Sequence, residues 1–224
     1  MKKILFFSFL VALAFNLSAQ KDSLQLGDRY AEDQIYASIS YAQFFNQPKE
    51  ISRSEFSYAI SLGFIKDIVL NKQGNISVAL GIGYGFDFFN HELRVEEVNN
   101  VTLFKNATNL SSNVFKSHNL EFPFEVRLRT SNAKKYDFWR VYAGVKFLYN
   151  LSNQFGFVEN AKKIRYQNVS SYNKFQYGLS ISAGYDEVNI NFFYSLTPTF
   201  TNAAIGEENI DSSILKFGLI FYIL

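Results

Sequence analysis

Between Ile76 and Phe88, large and tiny side chains alternate without a break. Ile76, Val78, Leu80, Ile82, Tyr84, Phe86 and Phe88 fall on one side of an extended chain, and Ser77, Ala79, Gly81, Gly83, Gly85 and Asp87 on the other. A period of two is that of a β-strand. A soluble lipocalin-like barrel or β-sandwich would turn the bulky row to a core and place Lys and Glu opposite it, in water. Here the opposite row is mostly Gly, Ala and Ser, a poor water-facing surface. The pattern suits a strand whose bulky face meets lipid and whose small face lines a narrow lumen.

The same alternation returns in Phe56, Tyr58, Ile60, Leu62 and Phe64, set against Ser57, Ala59, Ser61 and Gly63. It returns again in Phe175, Tyr177, Leu179, Ile181, Ala183 and Tyr185, set against Gln176, Gly178, Ser180, Ser182 and Gly184. Five further strands fall at roughly 34–45, 118–130, 138–151, 187–198 and 213–224. Short connections at 67–74, 131–137 and 186–187 alternate with long ones at 46–54, 90–117, 152–173 and 199–212. An all-β, eight-stranded antiparallel transmembrane β-barrel of the outer-membrane type is therefore expected over residues 34–224. Short turns belong on the periplasmic side and long loops outside, so the parity puts both termini in the periplasm.

Lys2 and Lys3, an apolar run from Ile4 to about Phe15, and the small residues Ser18 and Ala19 have the layout of a cleavable secretory signal over 1–19. Residues 20–33 read as a polar periplasmic lead-in, in which Asp22-Ser23-Leu24 looks like a site for O-glycosylation in Bacteroidetes-type bacteria. Removing the leader takes away Lys2 and Lys3 and no acid, leaving twenty basic against twenty acidic residues. That balance argues against a nucleic-acid partner. With no cysteine there is no disulfide, thiolate metal site or Cys nucleophile. Aromatic residues make up 18% of the chain, a share that a lipid-facing barrel uses in its apolar band and at both interfaces.

The charges within the spans share the face opposite the apolar row: Glu121, Glu125, Arg127, Arg129, Arg140 and Lys146, with Asp87, Lys174 and Lys216 elsewhere. On the lipid face near the midplane each Arg or Lys would cost about 2–4 kcal/mol and each Asp or Glu somewhat less, so all nine are expected to point inward as a lumen charge network. An eight-stranded barrel is just wide enough for its own side chains, so they should pair across it, Glu125 for instance with Arg127, Arg140 or Lys146. A gated ion path is the functional alternative. Glu121 and Glu125 share a side as a catalytic carboxylate pair might, but the many cations in reach speak against general acid work.

His91 and His118, the two histidines, are placed near the outer rim with Asp87, Ser111, Ser112 and Ser117. Rim histidines with Ser or Asp serve acyl transferases and phospholipases, yet no G-x-S-x-G or other spaced nucleophile motif occurs. No catalytic, cofactor or metal site is assigned. Loop 90–117 holds Val95, Val98, Val101, Leu103, Phe104, Leu110, Val114 and Phe115, more apolar residues than a solvated loop needs. They serve either a protein partner or packing on the barrel mouth.

Pro123 stands in a strand interior, where proline is normally penalised. Its context, Asn119-Leu120-Glu121-Phe122-Pro123-Phe124, resembles the "LEIP" element of the PorT-like outer-membrane β-barrel family of Bacteroidetes. As in that family, a Gly-containing strand follows, Tyr142-Ala143-Gly144-Val145-Lys146, and then a Gly-rich one from Tyr177 to Gly184. The C-terminal run from Lys216, with Gly218, Phe221 and Ile223, resembles the signal read by barrel-insertion machinery, although it ends in Leu224 rather than Phe. The family resemblance implies an outer-membrane location and a barrel of about eight strands, with PorT itself a component of type IX secretion. A non-enzymatic structural or interaction component is the expected role, its partners being outer-membrane lipid and proteins that engage loop 90–117 or segment 20–33. A narrow ion or solute channel is the alternative, and a rim acyl hydrolase or transferase the third reading.

Overall fold

The computed structural model of the chain describes residues 33–48, 51, 56–107, 110, 112–130 and 139–223. The leader, the Asp22-Ser23-Leu24 site, the lead-in up to residue 32, Ser111 and Leu224 lie outside the described residues. In chain order the strands are β1 (Gln34–Phe45), β2 (Tyr58–Val69), β3 (Ile76–Asn90), β4 (Leu93–Val98), β5 (Val101–Asn106), β6 (Ser112–Arg129) and β7 (Trp139–Glu159). They continue as β8 (Lys162–Gln167), β9 (Phe175–Tyr185), β10 (Val188–Ser195), β11 (Ala204–Ile205), β12 (Glu208–Asn209) and β13 (Ser213–Ile223).

Eight of these close on themselves in the order β1-β2-β3-β6-β7-β9-β10-β13, each antiparallel to its neighbours. The expected eight-stranded barrel is met, and closure leaves no strand edge exposed to lipid. Strand parity sorts the side chains. On β3 the row from Ile76 to Tyr84 faces outward, while Ser77, Ala79 and Asp87 are buried. The outward belt carries Ile39, Leu62, Phe64, Leu80, Ile82, Val126, Leu179, Ile181 and Ile190, each at least 46% exposed. Only a lipid surround makes such a belt favourable. Aromatic rings border it at both ends. Trp139 and Tyr185 stand edge to face at 5.6 Å beside the termini, and Tyr58 stacks on Phe88 at 5.1 Å near the long loops.

Pro123 has a visible consequence. The β3–β6 register runs from Ile76↔Leu128 to Leu80↔Phe124 and resumes at Gly83↔Glu121, so the ladder lapses where proline has no N–H to give. Gly81 lies opposite, and a Cβ there would come within 2.9 Å of the Pro123 ring. At the chain end, Ile35↔Ile223 and Tyr36↔Tyr222 set β13 with Ile223 outward and Tyr222 buried.

Two of the expected long loops are largely sheet. The 90–117 connection contains the β4–β5 hairpin, and β6 begins at Ser112 rather than near 118. The 152–173 connection is taken up by β7, which continues to Glu159, and by β8. Both hairpins turn on two consecutive residues with positive φ, Asn99 and Asn100 (53° and 61°) and Asn160 and Ala161 (50° and 61°). That is the turn whose twist matches its strands. Together these elements raise a wall beyond the lipid belt, on the side away from the termini.

Candidate functional site: a charged lumen under an aromatic cap

Inward-facing residues form tiers. Nearest the termini, Asp67 accepts from Arg129 Nη1 at 2.8 Å on one oxygen and from Ser77 Oγ at 2.6 Å on the other, and Arg127 Nη1 stands 3.8 Å from the oxygen that Ser77 bonds. Arg127 Nε donates to Glu125 at 3.0 Å, its Nη1 donates to Gln34 Oε1 at 3.1 Å, and its guanidinium lies 4.5 Å over the Tyr142 ring. Arg140 donates to the Asp186 carbonyl at the same end. In the middle tier, Glu121 accepts from Lys146 Nζ at 3.0 Å, Ser61 Oγ at 2.9 Å and Tyr36 OH at 3.4 Å. Above it, Asp87 accepts from Lys216 Nζ at 2.6 Å, Asn119 at 3.1 Å and Ser117 at 3.2 Å. An asparagine relay follows, Asn153 donating to Asn150 at 3.0 Å and Asn150 to Asn119 at 2.8 Å.

Eight of the nine charges assigned to the lumen from the sequence are buried: Asp87, Glu121, Glu125, Arg127, Arg129, Arg140, Lys146 and Lys216. Lys174 is the correction, because it is exposed. Its parity matches the inward row of β9, but the chain bends at this residue and the strand starts only at Phe175. Glu121 and Glu125 take separate cations rather than sharing a proton. Asp67, the anchor of the lowest tier, is absent from the sequence-derived set. It falls just past Ile65-Lys66, where the apolar row changes face and the alternation ceases to announce a strand.

The lumen is closed at the loop end by a cap of apolar side chains. Phe115 stacks on Phe155 at 4.4 Å and on Phe89 at 5.6 Å, while Leu93, Val95, Tyr172, Phe200 and Ile214 pack around them. The loop residues read from the sequence thus divide. Val95 and Phe115 are buried in the cap, and Val98, Val101 and Leu103 are exposed on the β4–β5 hairpin. Arg94 locks that hairpin to β7 through a two-pronged pair with Glu159, at 2.7 and 3.1 Å, and lies 4.2 Å over Phe157. The Arg94 hydrogen bond holds the Glu159 carboxyl below its ordinary range, and Glu159 in turn raises Arg94.

His91 lies buried in the cap among Phe44, Phe115 and Phe155, and neither ring nitrogen has a hydrogen-bond partner. Burial alone pushes it from 6.5 down to about 3. Its neutral form is the folded form, and the unfolded chain takes up a proton as pH falls below 6.5, so stability is lost between 6.5 and 3. Each pH unit in that window costs about 1.4 kcal/mol. Urea unfolding in lipid vesicles should therefore show wild type losing roughly 2–3 kcal/mol more than His91→Phe between pH 7.5 and 4.5. Equal losses would show that the cap does not feel this ring.

The two histidines do not meet. His118 faces outward, bonded to the Tyr84 hydroxyl and 5.1 Å from the Phe86 ring, while Ser117 and Asp87 face into the lumen. No nucleophile, base and carboxylate converge among the described residues named for that chemistry.

The family described as outer membrane protein beta-barrel domain matches residues 18–201. No curated protein matches the sequence. Among solved structures, the chain is similar to Ail, the attachment invasion locus protein of Yersinia pestis. The identity is 10%, covering 86% of this chain and 97% of that one, with a TM-score of 0.40. With its closed eight-stranded fold and a match over residues 18–201, the chain belongs to the outer membrane protein beta-barrel family, an outer-membrane protein whose apolar belt sits against lipid.

Proposed function

We propose that this barrel is a non-enzymatic, non-conducting structural or interaction component of the outer membrane, with both termini periplasmic and the cap facing outward. One observation carries the reading: ion pairs fill three tiers of the lumen, two of them spanning non-adjacent strands, and an apolar cap covers its loop end. Charges that pair with one another fill a barrel, whereas a conducting path needs water-lined groups without protein partners. The orientation is supported by the short turns, which share an end with both termini.

A partner is to be sought at the β4–β5 hairpin, where Val98, Val101 and Leu103 stay exposed on a hairpin that Arg94 pins in place, or at segment 20–33. The resemblance of the Asn119–Phe124 element to the PorT-like family of Bacteroidetes makes type IX secretion the first assembly to examine. Tagged protein drawn from mild-detergent outer-membrane extract should bring secretion subunits down in stoichiometric amount. A Val98→Asp, Val101→Asp variant should lose them while still running as a folded barrel. Recovery of the barrel alone would remove the accessory role and return attention to the narrow channel.

A further inference from the structure

Outside the barrel, the wall formed by β6, β7 and β8 carries a cationic hollow. The ladders place Ser112↔Val158↔Lys163, Val114↔Gly156↔Arg165 and Lys116↔Gln154↔Gln167 in successive rows. Gly156 is the centre of this grid. Having no side chain, it leaves a depression with Arg165 opposite in the ladder and Lys116 on the diagonal, a spacing of about 7–8 Å. A cavity of about 240 Å³ opens there, lined by Lys116, Lys163, Arg165 and Gln154. A second of about 200 Å³ shares Lys116 and Gln154 and adds His118, Gln167 and Asn168, so the two adjoin.

Charge and height identify the occupant. Lys116, Lys163 and Arg165 have no carboxylate partner among the described residues, in contrast to the paired cations of the lumen and to Arg94. Three adjacent cations without counter-charge attract an anion and favour a phosphate, which accepts from several donors at once. The hollow also sits directly on the lipid belt. Lys116 pairs with Phe88 across β3–β6 with its Nζ 5.5 Å from that ring's centroid, and the next outward row is Phe86↔His118 beside Tyr84. A group bound here is level with lipid headgroups, and its acyl chains would run down the apolar rows of β3 and β6.

We propose that this hollow binds the phosphate of an outer-leaflet glycolipid headgroup through Lys116, Lys163 and Arg165, with Gln154 and Gln167 as neutral donors. The assignment of leaflet rests on the orientation proposed above. Each cation beside an anionic headgroup contributes about fivefold to affinity, so three together amount to roughly a hundredfold.

The test uses the full-length barrel in detergent, with diphosphorylated lipid A, its dephosphorylated form and inorganic phosphate as probes. Wild type should retain the phosphorylated lipid about a hundred times more tightly than Lys116→Gln, Lys163→Gln, Arg165→Gln, with the dephosphorylated form held weakly by both. Heat-modifiable gel mobility checks that the variant is folded. Equal retention by the two proteins would overturn the site. Inorganic phosphate binding as tightly as the lipid would overturn the headgroup as occupant in favour of a free-anion site. Because this assay is independent of membrane orientation, a separate label on intact cells tests the leaflet, at Glu207→Cys in the exposed turn between β11 and β12 at the loop end. No reaction with an impermeant maleimide would overturn the orientation, and with it the outer-leaflet source, whatever the solution result.

Discussion

Lys146→Met is expected to destabilise the folded barrel by about 3–5 kcal/mol, because it strands a buried carboxylate. Glu121 is 1% exposed and would keep only the neutral donors Ser61 and Tyr36. The pair as a whole is worth far less, since two charges were taken out of water to form it. Adding Glu121→Gln should therefore restore most of the loss, giving a coupling energy of several kcal/mol in a double-mutant cycle. Urea unfolding in vesicles, followed by the single tryptophan, Trp139, measures all four corners. A double variant as unstable as the single one would mean that packing rather than charge governs the middle tier.

Phe115→Ala should cost about 3–5 kcal/mol for a different reason, the cavity left in the cap. Its ring packs against five others, Phe44, Phe89, His91, Phe155 and Tyr172, with centroids 4.4 to 6.4 Å away, and each of these also packs on a further ring that holds it in place. Phe124→Ala is the control. That side chain faces lipid, which closes over the gap, so only the transfer contribution is lost and the cost is smaller. Equal costs at the two positions would show that the cap is loosely packed and that Phe115 contributes as ordinary apolar surface.

The barrel was legible because its two faces obey opposite demands within one period. Lipid requires Ile82 and Phe86 to be large, and a narrow lumen requires Gly81, Gly83 and Gly85 to be small, so the strand and its inner face could be read together. The inward direction of Glu121, Lys146 and Arg127 followed from the same parity. Partner choice followed at Glu125, which takes Arg127, one of the cations named for it, but not at Glu121. It depends on the shear between strands, which sets Lys146 opposite Pro123 in the β6–β7 ladder and within reach of Glu121. Parity also ends where the strand ends, which is why Lys174 was assigned a lumen position that its bend denies it.

The wall beyond the membrane was missed for a chemical reason. Asn99-Asn100 and Asn160-Ala161 make the tight turns that Asn-Gly usually announces, and their strands face water on one side, so the apolar alternation that marked the spans fades. Val95 and Phe115 were open to either a partner or packing on the barrel mouth, because the sequence does not show which apolar residues of the connection lie over the mouth; both pack in the cap. The cationic hollow was likewise out of reach, since Lys116 and Arg165 meet only through the β6–β7–β8 register.

Whether the lumen is shut is read by single-channel recording of the purified barrel in a planar bilayer. A shut lumen gives no discrete current steps at either polarity, for wild type and for Arg127→Gln, Arg140→Gln alike. Reproducible steps that vanish on neutralising those two arginines would contradict it and make the charged lumen an ion path.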